Sequence, residues 1–321
     1  MIRGSLFALL TLAAPVAAKD LPLSLPIDCT LGDTCFVQQF VDRDAGSDHS
    51  DYNCGTLTYD GHKGTDFALP SLAAMTAGVD VLAAASGVVA ATRNDIPDIV
   101  QGAADAPDIT GKECGNGILV KHAGGWETQY CHLKMGSIIV ARDQKVSQGD
   151  VLGEVGLSGQ TQFPHVHLSV RKNGTVIDPY DADDSLTCDG TDRYSLWQAD
   201  MPYVGAGVIN IGFSTAVPKY DDVKSGVAHS HTLPTDAPAL VLWGYAYGGQ
   251  QGDILDLLIN GPTGEVIHHQ ARLDKSQAQF FRAAGKRNKG VGWPAGNYTG
   301  LVKLMRDGAE LGQSNISIQI E

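Results

Sequence analysis

The chain has 321 residues, 43% hydrophobic and 18% charged, which suggests about two globular domains and excludes a disordered protein. Lys plus Arg number 23 against 36 Asp plus Glu, a formal net charge of −13, and the only basic cluster is Lys286-Arg287-Asn288-Lys289. Such a chain lacks the patches that displace counterions from phosphates, so nucleic acid is not an expected partner. The 38 glycines favour turns and short strands over long helices.

Residues 1–18 read as a secretory signal peptide. Arg3 supplies the positive start, Leu6 to Leu12 the apolar run, and Val16-Ala17-Ala18 the small residues of a cleavage site before Lys19. The run falls short of the roughly 20 apolar residues that span a bilayer. No later stretch qualifies, so the mature chain is expected to hold no integral membrane segment.

Six cysteines follow the leader: Cys29, Cys35, Cys54, Cys114, Cys131 and Cys188. Export and an even count point to disulfides. Cys29 and Cys35 suit a local loop, and the remaining expectation is Cys54–Cys114 with Cys131–Cys188. No CxxC pair supports a zinc ribbon. Because cysteines stop at Cys188, the mature chain divides into a unit over about 19–198 and a cysteine-free unit over about 203–321.

The first unit reads as β. Val79 to Ala91 predicts two short strands around Ser86-Gly87. Gly117–His122 and Thr128–Leu133 predict a pair joined through Ala123-Gly124-Gly125. Val146 to Gly153 has the same texture, and Val166 to Val170 is a further strand. Arg93 to Glu113, rich in Asp, Ala and Gly, reads as a long loop. In the second unit, Ala239–Tyr247, Asp256–Asn260, Asn297–Arg306 and Ser314–Ile320 predict strands of a β-sandwich, and only Asp274 to Ala284 looks helical.

Three histidine motifs carry chemistry: Gly61-His62-Lys63-Gly64-Thr65-Asp66, Tyr130-Cys131-His132, and Pro164-His165-Val166-His167. On a strand, residues i and i+2 share a face, so His165 and His167 present two imidazoles together. His62 and Asp66 stand about 13 Å apart on a straight strand. Gly61 and Gly64 allow a bend that brings them together. Two histidines and a carboxylate make three ligands, and catalytic zinc sites keep a fourth position for water. His229-Ser230-His231 repeats the HxH spacing without an HxxxD partner. His268 and His269 are adjacent and read as surface residues. Cys131 beside His132 is expected in a disulfide rather than as a nucleophile.

Together, in this order, the motifs resemble the LytM/lysostaphin-type zinc endopeptidases, the peptidoglycan-cleaving β-lytic family, over roughly residues 50–180. Gly156-Leu157-Ser158-Gly159 is similar to the family's lead into its HxH strand, and Asp178-Pro179 to the residues after it. The resemblance implies a small, mostly antiparallel β-sheet with a groove on one face. It implies one zinc ion per chain on His62, Asp66 and His167, with His132 and His165 as catalytic histidines beside it. There is no HExxH glutamate, so these two histidines are the groups available to move protons. The implied substrate is the peptide stems of peptidoglycan. An exported chain with no wall-anchoring signal points to the periplasm, with release to the medium as the alternative. Two other readings compete: a secreted endopeptidase acting on proteins, and a non-catalytic regulator of wall hydrolases. Such regulators typically lack zinc ligands that this chain keeps.

Overall fold

The computed structural model describes residues 20–184 and 193–321, so the expected leader over 1–18 and Cys188 lie outside the described residues. In the first half run β1 (Phe36–Gln39), β2 (Thr65–Ala68), α1 (Leu72–Ala77), β3 (Asp80–Leu82), β4 (Gly87–Arg93), β5 (Asn116–Lys121), β6 (Trp126–Leu133), β7 (Lys145–Val146), β8 (Val151–Glu154), β9 (His165–Lys172) and β10 (Thr175–Ile177). One antiparallel sheet has the order β1-β2-β9-β6-β5-β4-β7, with β10 against β9, and β3 pairs with β8 apart from it.

Period-two patterning divides the faces of this sheet. Phe67, Tyr130, Val166, Leu168 and Val170 are fully buried on one face. Leu23, Ile27 and Trp197, from outside the sheet, join the same core. The alternate residues of β9, among them His165, His167 and Ser169, line the other face. The stretch between β4 and β5 holds no helix or strand. It is nonetheless tied down. The Asp98 carboxylate accepts from the Leu157 and Met135 backbone amides at 2.7 and 2.9 Å, and the Gln101 amide donates to Thr161 O at 2.8 Å.

Cys29 is bonded to Cys35 as expected, but Cys114 is bonded to Cys131, which overturns the pairings Cys54–Cys114 and Cys131–Cys188. Cys54 is also disulfide-bonded. The cause is topological: Cys114 enters β5 and Cys131 lies near the end of its antiparallel neighbour β6, so their Cα atoms are 4.8 Å apart.

The second half contains β11 (Gly207–Ser214), α2 (Tyr220–Ser225), β12 (Thr232–Leu233), β13 (Ala239–Gly249), β14 (Ile254–Gly261), β15 (Gly264–Arg272), β16 (Gln277–Arg287), β17 (Gly296–Arg306) and β18 (Ala309–Ile320). The sheet β11-β13-β16 faces the sheet β12-β18-β17-β14-β15. Phe213, Leu242, Ala246 and Phe280 from the first meet Leu257, Val302, Leu304 and Ile318 from the second in one core, which makes a sandwich. The expected helix over Asp274–Ala284 is instead most of β16, antiparallel to β13. Its helix-forming Gln and Ala residues are overridden by alternation: Phe280 faces the core, while Phe281 packs under Tyr220 of α2 at 5.3 Å.

The two halves meet along β1. The Phe36 ring stacks on Tyr247 of β13 at 4.5 Å. Gln38 accepts from Gln279 Nε2 at 2.8 Å, and its own amide donates to Ala278 O at 3.4 Å. The edge of the first sheet is therefore covered by β16.

Candidate metal centre

The site is built on neighbouring strands in register. Asp66 of β2 lies opposite His167 of β9, and Ala68 opposite His165. Directly opposed residues share a face, so Asp66, His165 and His167 stand on one surface. His62 lies in the turn before β2, where Gly61 at φ 76° supplies the bend expected from the sequence. Gly64 does something different: a Cβ there would lie 2.5 Å from His167 Nε2 and 2.7 Å from Leu168 O, so its missing side chain makes room for the His167 ring.

His132 arrives by a bulge. Ile118 pairs with Tyr130 and Asn116 with Leu133, which leaves Cys131 and His132 together against Gly117. His132 has φ 64°, a costly conformation for a residue with a Cβ. Its amide donates to Cys114 O and its Nδ1–H to Ser158 O, each at 2.8 Å. The ring then sits 4.6 Å from that of His165.

Hydrogen bonds at the far side of each ring select the tautomer of the neutral form. His62 Nδ1–H donates to Phe40 O at 2.6 Å, and His165 Nδ1–H to Phe163 O at 2.9 Å. Ser169 Oγ donates to Lys63 O at 2.8 Å, so it accepts from His167 Nε2–H at 3.0 Å. His62 Nε2, His132 Nε2, His165 Nε2 and His167 Nδ1 are thus left with lone pairs.

Three acceptors converge. His62 Nε2 lies 3.1 Å from His167 Nδ1 and 3.3 Å from Asp66 Oδ1, and His167 Nδ1 lies 2.8 Å from the same oxygen. His62 and Asp66 are buried, and His167 is 15% exposed. Lone pairs this close require a proton or a cation between them. A tetrahedral zinc with bonds of ~2.0–2.1 Å separates its ligand atoms by roughly 3.3 Å, so the donor set and its spacing fit that ion. His165 Nε2 lies 3.5 Å from Asp66 Oδ1 and completes the ring of bases.

The electrostatics follow from burial and this crowding. Burial opposes ionisation of Asp66, but the His62, His165 and His167 imidazoles around it, when protonated, hold its carboxyl well below the usual range. Burial, reinforced by His165 and His167, pushes His132 well down. Burial also lowers His167, with Asp66 opposing. His62 goes the other way, since Asp66 and Phe40 O outweigh its burial.

The structure thus brings together His62, Asp66, His132, His165 and His167. Among the described residues no other trio of His, Cys, Asp or Glu ligands converges. The His229 and His231 rings lie 5.0 Å apart, and His229 Nδ1 accepts from the Phe213 amide. His268 bonds to Asp256 at the surface of the sandwich. Sequence reasoning missed Ser169, although it stands two residues beyond His167 on the same strand face. It also missed the carbonyls of Phe40 and Ser158, which no side-chain pattern marks. Among the described residues no helix is long and apolar enough to cross a membrane.

Residues 60–179 match peptidase family M23. The chain is 38% identical over 101 residues to the cell division protein DipM of Caulobacter vibrioides, covering 32% of this chain and 14% of DipM. It is 31% identical over 116 residues to the peptidoglycan DD-endopeptidase ShyA of Vibrio cholerae, covering 36% of this chain and 21% of ShyA. It is 31% identical over 120 residues to the DD-carboxypeptidase/endopeptidase Mpg of Neisseria meningitidis, covering 37% of this chain and 22% of Mpg. The match therefore spans about a fifth or less of these relatives' lengths and contains all five residues of the cluster. The chain carries, across residues 60–179, a domain of peptidase family M23.

Proposed function

We propose that the protein is an exported zinc endopeptidase that hydrolyses peptide cross-links of peptidoglycan in the periplasm. The observation that carries this reading is the convergence of His62 Nε2, Asp66 Oδ1 and His167 Nδ1 within 2.8–3.3 Å, with no proton donor among them in the neutral tautomers. A zinc ion on these atoms supplies Lewis acidity to the scissile carbonyl and lowers the pKa of a water.

The chain's own residues do the rest. The Nδ1–H bond to Ser158 O fixes His132 with Nε2 facing the cluster, and the bond to Phe163 O does the same for His165. These two bases receive the proton of the attacking water and return it to the leaving amine nitrogen. Asp66 balances positive charge at the site, and Ser169 orients His167. The non-catalytic alternative is disfavoured because the ligand trio and both proton-handling histidines are present. The relatives ShyA and Mpg are named as endopeptidases, which favours a wall peptide over a protein substrate.

The test incubates the purified chain, with zinc content measured, against isolated sacculi and against casein. Release of peptide fragments from sacculi, abolished by a chelator and restored by zinc, is the expected result. Cleavage of casein alone, or of neither substrate by a zinc-loaded chain, overturns it.

A further inference from the structure

A cavity of 850 Å³ lies at the junction between the metal-bearing sheet and the C-terminal sandwich. Its first wall is the active face itself. Gln39 pairs with Asp66 across β1 and β2, after a bulge at Gln38, so its side chain stands beside the ligand row. Phe163 forms the next wall, and its ring stacks on that of His165 at 4.4 Å. Gln101, from the long loop between β4 and β5, and Gln162 continue the lining. The far wall is Lys275, just before β16, and Gln277 at the start of that strand, which belongs to the sandwich.

The chemistry of this lining is specific. Gln39, Gln101 and Gln162 contribute side-chain amides to it. An amide both donates and accepts, which matches the alternating N–H and C=O groups that an extended peptide presents along its backbone. The cavity also differs in charge from the 490 Å³ pocket on the His62 side of the cluster, where Asp42, Asp44 and Asp60 stand. With Lys224 and Lys275 against Asp221 in its lining, this side is the one suited to carboxylates.

We infer that this junction cavity holds the peptide arm of the substrate that extends past His165. The side-chain amides of Gln39, Gln101 and Gln162 pair with its backbone, and Lys275 of the sandwich takes a stem carboxylate. The C-terminal sandwich is then part of the substrate site. This inference rests on the proposed function for the identity of the peptide, but not for the existence of the cavity.

The test uses the full chain and a soluble cross-linked muropeptide dimer, beside a short peptide that carries only the cross-link and its immediate neighbours. Lys275→Glu and the pair Lys275→Ala with Gln277→Ala alter the sandwich wall without touching any metal ligand, and their melting temperatures report folding. The expected result is about a tenfold rise in Kd and KM for the dimer, with kcat, zinc content and short-peptide cleavage unchanged. Wild-type Kd and KM in folded variants, or no dimer binding by the wild type, overturns the inference. Dimer that is bound, bound more weakly by the variants and never cut upholds the cavity and refutes the hydrolysis. Dimer that is cut equally by wild type and variants does the reverse.

Discussion

Replacing Ser169 by alanine removes a single oxygen from beneath the cluster of His62, Asp66 and His167. That oxygen accepts from His167 Nε2–H at 3.0 Å and donates to Lys63 O at 2.8 Å, and Ser169 is buried. Its loss leaves the His167 ring free to adopt the tautomer that puts a proton on Nδ1, the atom facing Asp66 and His62. Partners of metal-ligating histidines are typically worth 10–100-fold in metal affinity, or about 1.4–2.7 kcal/mol. Leaving Lys63 O without its donor costs about 1–3 kcal/mol of stability besides. Zinc affinity is read by competition with a chelating indicator, and folding by a thermal melt. Ser169→Ala is expected to bind zinc 10–100-fold more weakly, and Ser169→Thr, which keeps the hydroxyl, to recover most of the difference. A folded Ser169→Ala with wild-type zinc affinity would refute the argument that this bond selects the ligating nitrogen.

His132→Ala and His165→Ala are expected to retain zinc by elemental analysis and to lose about 10²–10⁴-fold in turnover, whereas His62→Ala and His167→Ala lose the metal itself. Loss of zinc from His132→Ala would show that the division of roles is wrong. Gly64→Ala places a Cβ 2.5 Å from His167 Nε2 and 2.7 Å from a backbone carbonyl, so weaker zinc binding and a lower melting temperature are expected, and a wild-type melt with full zinc occupancy would count against the contact. Burial pushes the Asp178 carboxyl up to about 7, against the pull of the Tyr180 amide and Arg43. The folded state then holds a proton that the unfolded chain has released, so stability falls as pH rises from about 4 to about 7, by about 4 kcal/mol at most. Melting curves of Asp178→Asn should be flatter than the wild type across that window, and parallel curves would exclude this carboxyl as the cause.

The cluster of His62, Asp66, His165 and His167 was legible because two spacings carry geometry. HxH on a strand places two rings on one face, and HxxxD around glycines permits a bend, and the structure realises both. The strands over 79–91, 117–133 and 239–247 were legible from apolar runs punctuated by glycine. β16 was not, because Ser276-Gln277-Ala278-Gln279 favours a helix locally and only the hydrogen bonds of β13 overrule it. The disulfide Cys114–Cys131 was hidden for a related reason: it follows from strand adjacency, and sequence spacing does not encode which strands are neighbours. The position of His132 depends on a bulge, an irregularity of strand pairing that no residue spacing marks.

The carbonyl of Phe40 that orients His62 follows directly on β1, about twenty residues before the start of the M23 match at residue 60. The Asp42 carboxylate, from the same segment, accepts from the Gly61 amide at 2.8 Å and steadies the turn that carries His62. A fragment cut to the boundaries of the match would keep every residue of the cluster and lose the partners that aim one of them. It would also strip away the strand opposite Asp66, exposing β2 as a new sheet edge. Dissection or grafting of this M23 unit therefore has to begin upstream of Phe36, and any fusion partner placed there competes with the sandwich for the face that Phe36 shares with Tyr247.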